Sequence, residues 1–236
     1  GPGRAQRPRR SLRAEPVTAN TSGAGDDRTL DEIRLALAPD IATEAVFDGW
    51  TDAALEQAAA LAGVPLPVAR LAFAGGPMDM IAAWISSIDA QMEAALGGGA
   101  LDSMKIRDRI RTLVLFRLDA VAGRKEALRR ALAIMVLPTN APRALRIAWN
   151  SADAMWRLAG DTATDYNHYT KRTLLAGIYS ATLAVFLGDE SEHQAETRAF
   201  LDRRIDDVMR FEKTKAQLLS GREGFDLVRF LGRLRY

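Results

Sequence analysis

From Thr29 onward apolar residues recur every three to four positions, and no run alternates apolar and polar residues between turn signals. That periodicity predicts helices and no sheet, so the fold class is all-α. A first helix is expected over about 30–47, interrupted near Pro39, and a second from Thr51, as N-cap, to Leu61. The stretch AGVPLPVARLAF, then GGP and an apolar helix near Met78 to Met92, completes a helix, short turn, helix, helix layout of the helix-turn-helix kind. A recognition helix needs donors and acceptors in its first turns. Here those turns offer Pro65, Leu66, Pro67, Val68 and Ala69, with only Arg70 able to read a base or hold a phosphate. The element is therefore expected to be scaffold, with no nucleic acid among the partners.

The second half reads as a helical bundle. Ile106, Ile110, Leu113, Leu118 and Val121 mark one helix, Ala127 to Leu137 the next, and Pro138 and Pro142 bracket a turn before a helix from Arg143 to Leu158. Gly160 then ends that helix, Asp161 or Thr164 can cap a new one, and Asp165 places negative charge in its first turn. Helical spacing sets Asp165, His168, Tyr169 and Arg172 side by side. The same helix continues through Leu174, Leu175, Ile178, Tyr179, Leu183 and Phe186, and another follows from Ala195 to Phe211. After a polar linker around Lys213 to Arg222, GFDLVRFLGRLRY projects Leu227, Phe230, Leu231 and Leu234 together, with Arg229 and Arg233 grouped elsewhere. A bulky apolar face beside arginines suits a helix lying in a membrane interface. Packing on the protein body or on a second copy is the other reading of that face.

Composition narrows the chemistry. There is no cysteine, which excludes disulfides, thiol catalysis and thiolate metal sites. The net charge of +2 hides an uneven distribution, because Arg4, Arg7, Arg9, Arg10 and Arg13 crowd one end while charges elsewhere nearly balance. Residues 1–28 are expected to be a disordered basic tail, with a mitochondrial transit remnant or a membrane-touching arm as sharper alternatives. The leading Gly-Pro is read as a processed or engineered end. Asp165-x-x-His168 and Glu190-x-x-His193 have a di-iron spacing, but such sites also need inward carboxylates from two further helices. No phosphate loop, nucleophile elbow or triad order accompanies them, so no metal, no cofactor and no catalytic residue is expected.

The segment AGDTATDYNHYTKR, Ala159 to Arg172, resembles the A-G-D-x-S/T-x-D-x-N-x-Y-T-x-R signature of the ubiquinone (coenzyme Q) biosynthesis protein nine family, a TetR-like lipid-binding family. Gly49-Trp50, the apolar helix at Met78 to Met92 and FLDRRIDDVM at Phe200 to Met209 follow in the family's order. The resemblance implies a TetR-like helical bundle, divided into a degenerate helix-turn-helix subdomain over 29–98, a lipid-binding domain over 99–212, and a linker with an amphipathic membrane helix over 213–236. It implies a homodimer and a non-catalytic protein that binds isoprenoid or quinone lipid at a membrane surface and presents it to the di-iron demethoxyubiquinone hydroxylase. The setting implied is the cytoplasmic face of a bacterial inner membrane, or the matrix side of the mitochondrial inner membrane. Carried over by position, Met155, Trp156, His168 and Tyr169 would meet lipid, and Asp165, Asn167, Tyr169 and Arg172 the hydroxylase. Leu227, Phe230, Leu231, Leu234, Arg229 and Arg233 would meet the membrane. The animal family members have Trp at the position of His168. A TetR-like regulator sensing a hydrophobic ligand is the alternative.

Overall fold

The computed structural model describes residues 28–162 and 166–223, and among them nine α-helices, two short 3-10 turns and no strand. The helices are α1 (Leu30–Asp48), α2 (Asp52–Leu61), α3 (Leu66–Ala72), α4 (Pro77–Leu96), α5 (Ile106–Val121), α6 (Lys125–Met135), α7 (Ala141–Leu158), α8 (Tyr166–Gly188) and α9 (Ala195–Glu223). Among the described residues no single helix is long and apolar enough to cross a membrane. The basic tail at 1–27, Thr164 and Asp165, and the membrane-face residues Leu227, Arg229, Phe230, Leu231, Arg233 and Leu234 lie outside the described residues.

Helix starts follow local chemistry. Thr29 and Glu32 form a reciprocal capping box, and the Thr51 hydroxyl accepts from the Ala54 amide. Two expectations fail. Pro39 does not interrupt α1, which runs unbroken to Asp48. The carbonyl that a proline leaves without a donor belongs here to Leu35, which is 42% exposed, so water can reach that side of the helix. The inner face meanwhile buries Ile33, Leu37, Ala38, Ile41, Ala42 and Ala45, which holds the helix together across the break. The expected linker at 213–222 is also helical, as the last part of α9. Its Lys, Ala, Gln, Leu and Arg are strong helix formers, and they prolong a helix already nucleated upstream.

One apolar core runs through both halves, from Ile33 and Trp84 to Leu118, Met155, Phe186 and Leu201. The helix-turn-helix elements are fastened to the bundle at several points. Gly49 turns the chain at φ 72°, a conformation that favours glycine, and directs Trp50 inward. Trp50 Nε1 donates to the Ala127 carbonyl of α6 at 3.0 Å, and its ring lies 5.3 Å from that of Trp84. Arg130 donates to the Phe47 carbonyl at 2.9 Å, and Arg143 on α7 pairs with Asp79 on α4 at 2.5 Å.

Two buried polar groups brace the bundle. Arg117 on α5, 1% exposed, pairs with Asp89 on α4, donates to Ser151 on α7, and lies over the Tyr179 ring on α8. Asp189, 4% exposed, accepts from the backbone amides and hydroxyls of both Ser191 and Thr197, which locks the α8 to α9 corner. Burial alone would raise the Asp189 pKa, but those four hydrogen bonds outweigh it and hold the carboxyl far below its ordinary range. A depressed carboxylate contributes stability above its unfolded pKa and loses it as pH falls toward its folded one. Asp189→Ala is therefore expected to cost about 2 kcal/mol at pH 7. The gap to the parent should narrow below roughly pH 4, as urea midpoints measured between pH 7 and pH 2.5 would report.

Candidate functional site

Four helices enclose an apolar cavity of about 400 Å³. α5 contributes Ile106, Arg107 and Ile110, α7 contributes Trp156, and α9 contributes Ile205, Val208 and Met209. α8 supplies Thr170, Lys171, Leu174, Leu175 and Ile178, spaced so that one face looks inward. Met209 lines the cavity and is 43% exposed, so the cavity reaches the surface beside it.

The α7 to α8 turn builds the polar side of this cavity. Gly160 adopts φ +88°, and the Asp161 amide reaches back to the Trp156 carbonyl at 3.0 Å. A Cβ at Gly160 would also stand 3.0 Å from Arg109 Nη1, which donates to the Ala159 carbonyl at 2.9 Å. The turn delivers Asp161 to two cations. Its Oδ1 accepts from Lys171 Nζ at 2.7 Å and its Oδ2 from Arg172 Nη1 at 3.0 Å. Burial acts to raise the Asp161 pKa, but the hydrogen bonds and charges of Lys171 and Arg172 outweigh it and hold the carboxyl below its usual range. Arg172 Nε continues to Asp153 on α7 at 2.6 Å, and Asp153 meets Arg157 at 3.2 Å. Lys171 also fixes the tryptophan: Trp156 Nε1 donates to the Lys171 carbonyl at 2.9 Å, and Lys171 Nζ lies 5.4 Å from the centre of the Trp156 ring.

The residues expected to meet lipid are not gathered in one place. Trp156 lines the cavity, whereas Met155 is wholly buried in the core one position away, on the adjoining face of α7. His168 and Tyr169 do not line it. They form an aromatic cluster with Trp149 of α7, with ring centres 6.3 and 5.8 Å from the indole and 5.2 Å from each other. Tyr169 is 61% exposed, so this cluster belongs to the outer surface. Arg172, expected on that surface, is 2% exposed and turned inward to Asp153 and Asp161. The cause is electrostatic: two carboxylates on the buried side attract the guanidinium away from solvent. The side chain of Asn167 lies outside the described residues, as does Asp165. Reading the chain alone missed Trp149, Lys171 and the paired role of Asp161. The available signals were two tryptophans seven positions apart on one helix, and a Lys-Arg pair ten and eleven residues beyond an Asp.

Among the described residues, no group of three or more His, Asp or Glu side chains is gathered as a metal site. His193 sits in a 3-10 turn at φ 53° and is solvent-facing. On the helix-turn-helix, Arg70 is held by Asp52 at 2.6 Å, so the cation considered for DNA contact is already paired.

Residues 141–212 match the sequence profile of the COQ9 family. The mitochondrial ubiquinone biosynthesis protein COQ9 of Rattus norvegicus is 33% identical over 179 residues, covering 73% of this chain and 57% of that protein. The Homo sapiens protein is 31% identical over 179 residues (73% and 56%), and the Drosophila melanogaster protein 28% over 206 residues (84% and 63%). The chain thus spans less than two thirds of the length of these curated relatives. Among solved structures, a TetR transcriptional regulator from Nitrosomonas europaea superposes with a TM-score of 0.59 at 23% identity, covering 74% of this chain and 97% of that one. The architecture is thereby TetR-like and all-α, and the segment that contains Trp156, the Gly160 turn, the Asp161 ion pairs and the α8 wall of the cavity is a COQ9 family domain.

Proposed function

We propose that this protein is a non-catalytic accessory of ubiquinone biosynthesis that holds an isoprenoid or quinone intermediate in the α5, α7, α8 and α9 cavity. The observation that carries the reading is that cavity: about 400 Å³, walled mainly by Ile, Leu, Val, Met and Trp, and built largely by the COQ9 family segment. Its size falls within the roughly 300–1,000 Å³ of small-molecule sites. A polyprenyl chain offers no polar group along its length, so adaptable apolar walls are what its binding requires. The cluster of half-buried Trp149 and His168 with exposed Tyr169 is the surface proposed to face the di-iron demethoxyubiquinone hydroxylase, with Asp165 and Asn167 beside it in sequence. Residues 224–236 are proposed to dock on the membrane, and the protein to act as a homodimer. The setting would be the matrix side of the mitochondrial inner membrane, or the cytoplasmic face of a bacterial one.

Solvent extraction and mass spectrometry of the purified protein test this. Isoprenoid or quinone lipid near one per subunit is the expected result, and a lipid-free protein that also takes up none from quinone-loaded liposomes would sink the reading. Deleting 224–236 is expected to lower liposome retention at least tenfold while leaving lipid uptake from detergent intact. A regulator sensing a hydrophobic ligand is the second reading, favoured by the fold shared with a TetR regulator. It requires retention on a specific DNA that falls steeply with salt, and the Asp52 to Arg70 pair speaks against that.

A further inference from the structure

The cavity is asymmetric along α8. Its first inward positions, Thr170 and Lys171, are polar and stand beside Asp161, while Leu174, Leu175 and Ile178 continue the same wall as hydrocarbon. Seven residues of α-helix separate Lys171 from Ile178, an axial distance of about 10 Å. A ligand with one polar end and a chain would therefore align head first at Lys171, its chain running toward Ile178.

The polar end has a sign. Among the described residues, Asp153 and Asp161 face three cations, Arg157, Lys171 and Arg172, so one positive charge exceeds the carboxylates. Arg172 is buried with both carboxylates as partners, and neither it nor Arg157 lines the cavity; Arg107, which does line it, is held by Asp206 at 2.7 Å, so the cation this end presents is Lys171, whose side chain is 39% exposed. An ammonium has three donors, and Asp161 takes one of them. Packing over the Trp156 ring restrains the side chain, so little rotamer freedom remains to be lost on binding.

We infer that Lys171 is the head-group recognition residue of this cavity, which selects an amphipathic lipid whose head bears acceptor oxygens, such as a quinone carbonyl or a phenolate, over a plain hydrocarbon. Asp161 positions it, and Trp156 forms the floor on which the head rests. The inference rests on the lipid-carrier reading and goes beyond it by naming the end of the ligand that is read and the side chain that reads it.

The test uses the full chain and two probes of matched tail length, a benzoquinone bearing two isoprene units and the corresponding diprenyl hydrocarbon. Equilibrium dialysis from detergent gives the affinity of each. The parent is expected to favour the quinone about tenfold, as one charge-assisted hydrogen bond supplies. Lys171→Met should erase that preference while keeping hydrocarbon affinity, and Lys171→Arg should restore most of it. The ratio of the two affinities is indifferent to a general loss of folding, and circular dichroism checks each variant. Equal affinities in the parent, or a preference that survives in Lys171→Met, overturn the inference and leave the carrier reading standing. Failure of both probes to bind overturns the carrier reading itself.

Discussion

Replacing Arg172 with methionine is expected to lower the unfolding free energy by about 3 kcal/mol at pH 7. Methionine fills much of the same volume with an apolar stem, so packing changes little and the lost charge dominates. The guanidinium is 2% exposed and neutralises Asp153 and Asp161 at once, and the Asp161 side chain is itself only 6% exposed. Removing the cation leaves Asp161 with Lys171 alone and Asp153 with a solvent-facing Arg157. Breaking one side of a buried pair costs more than the pair contributes, because the remaining charge stays desolvated. Asp153 is partly open to water, which sets the figure at the low end of the range for such losses. Arg172→Lys should rescue poorly, since a single ammonium cannot reproduce the fork that reaches both carboxylates.

The pH dependence follows from the sign of the Asp161 shift. Its folded pKa is depressed, so its contribution is fully present above the ordinary aspartate range and is lost as pH falls toward the folded value. The difference between parent and Arg172→Met should be widest near neutrality and shrink in acid. Adding Asp161→Asn to Arg172→Met should recover part of the loss, because it removes one of the stranded charges. Urea unfolding of the four proteins of this cycle at pH 7 and pH 2.5 measures both effects. Equal midpoints for the parent and Arg172→Met would show that α7 and α8 are held by their apolar contacts alone.

Arg172 also marks how far the chain could be read without coordinates. Periodicity places a residue on a helical face, and it put Arg172 beside Tyr169 and His168. It does not say what stands opposite, and the opposing carboxylates, Asp153 on α7 and Asp161 in the turn, lie 19 and 11 residues away. The caps were legible because they are local: Thr51 and Gly160 do what their types and positions suggest. Pro39 was misjudged for the opposite reason, since the burial that carries α1 across it comes from α2, α3, α4 and α6. The cavity was the least legible feature. Ile110 and Ile205 line it together from positions 95 residues apart, which no motif records. The signature stretch contributes Asp161, Thr170 and Lys171 to the cavity wall, while Met155, His168 and Tyr169 lie elsewhere.

Trp50→Ala is expected to cost about 4 kcal/mol, within the range for a buried tryptophan reduced to alanine. The indole is 2% exposed, stacks at a tilt on Trp84, and gives its only donor to the Ala127 carbonyl 77 residues away. Truncation empties the joint between the helix-turn-helix and α6 and leaves that carbonyl without its indole partner. Trp50→Phe separates the two contributions, for it keeps most of the packing and loses the N–H, at about 1 kcal/mol. The mode of unfolding carries the functional weight. A regulator must let its helix-turn-helix swing against the ligand domain, whereas Trp50, Arg130 and Arg143 tie the two halves across one continuous core. Trp50→Ala should therefore melt in a single transition at lower temperature, with amide exchange in α1 to α3 rising together with that in α6 and α7. Early, separate exchange of α1 to α3 in the parent would mean that the joint is loose, and it would return weight to the DNA-binding alternative.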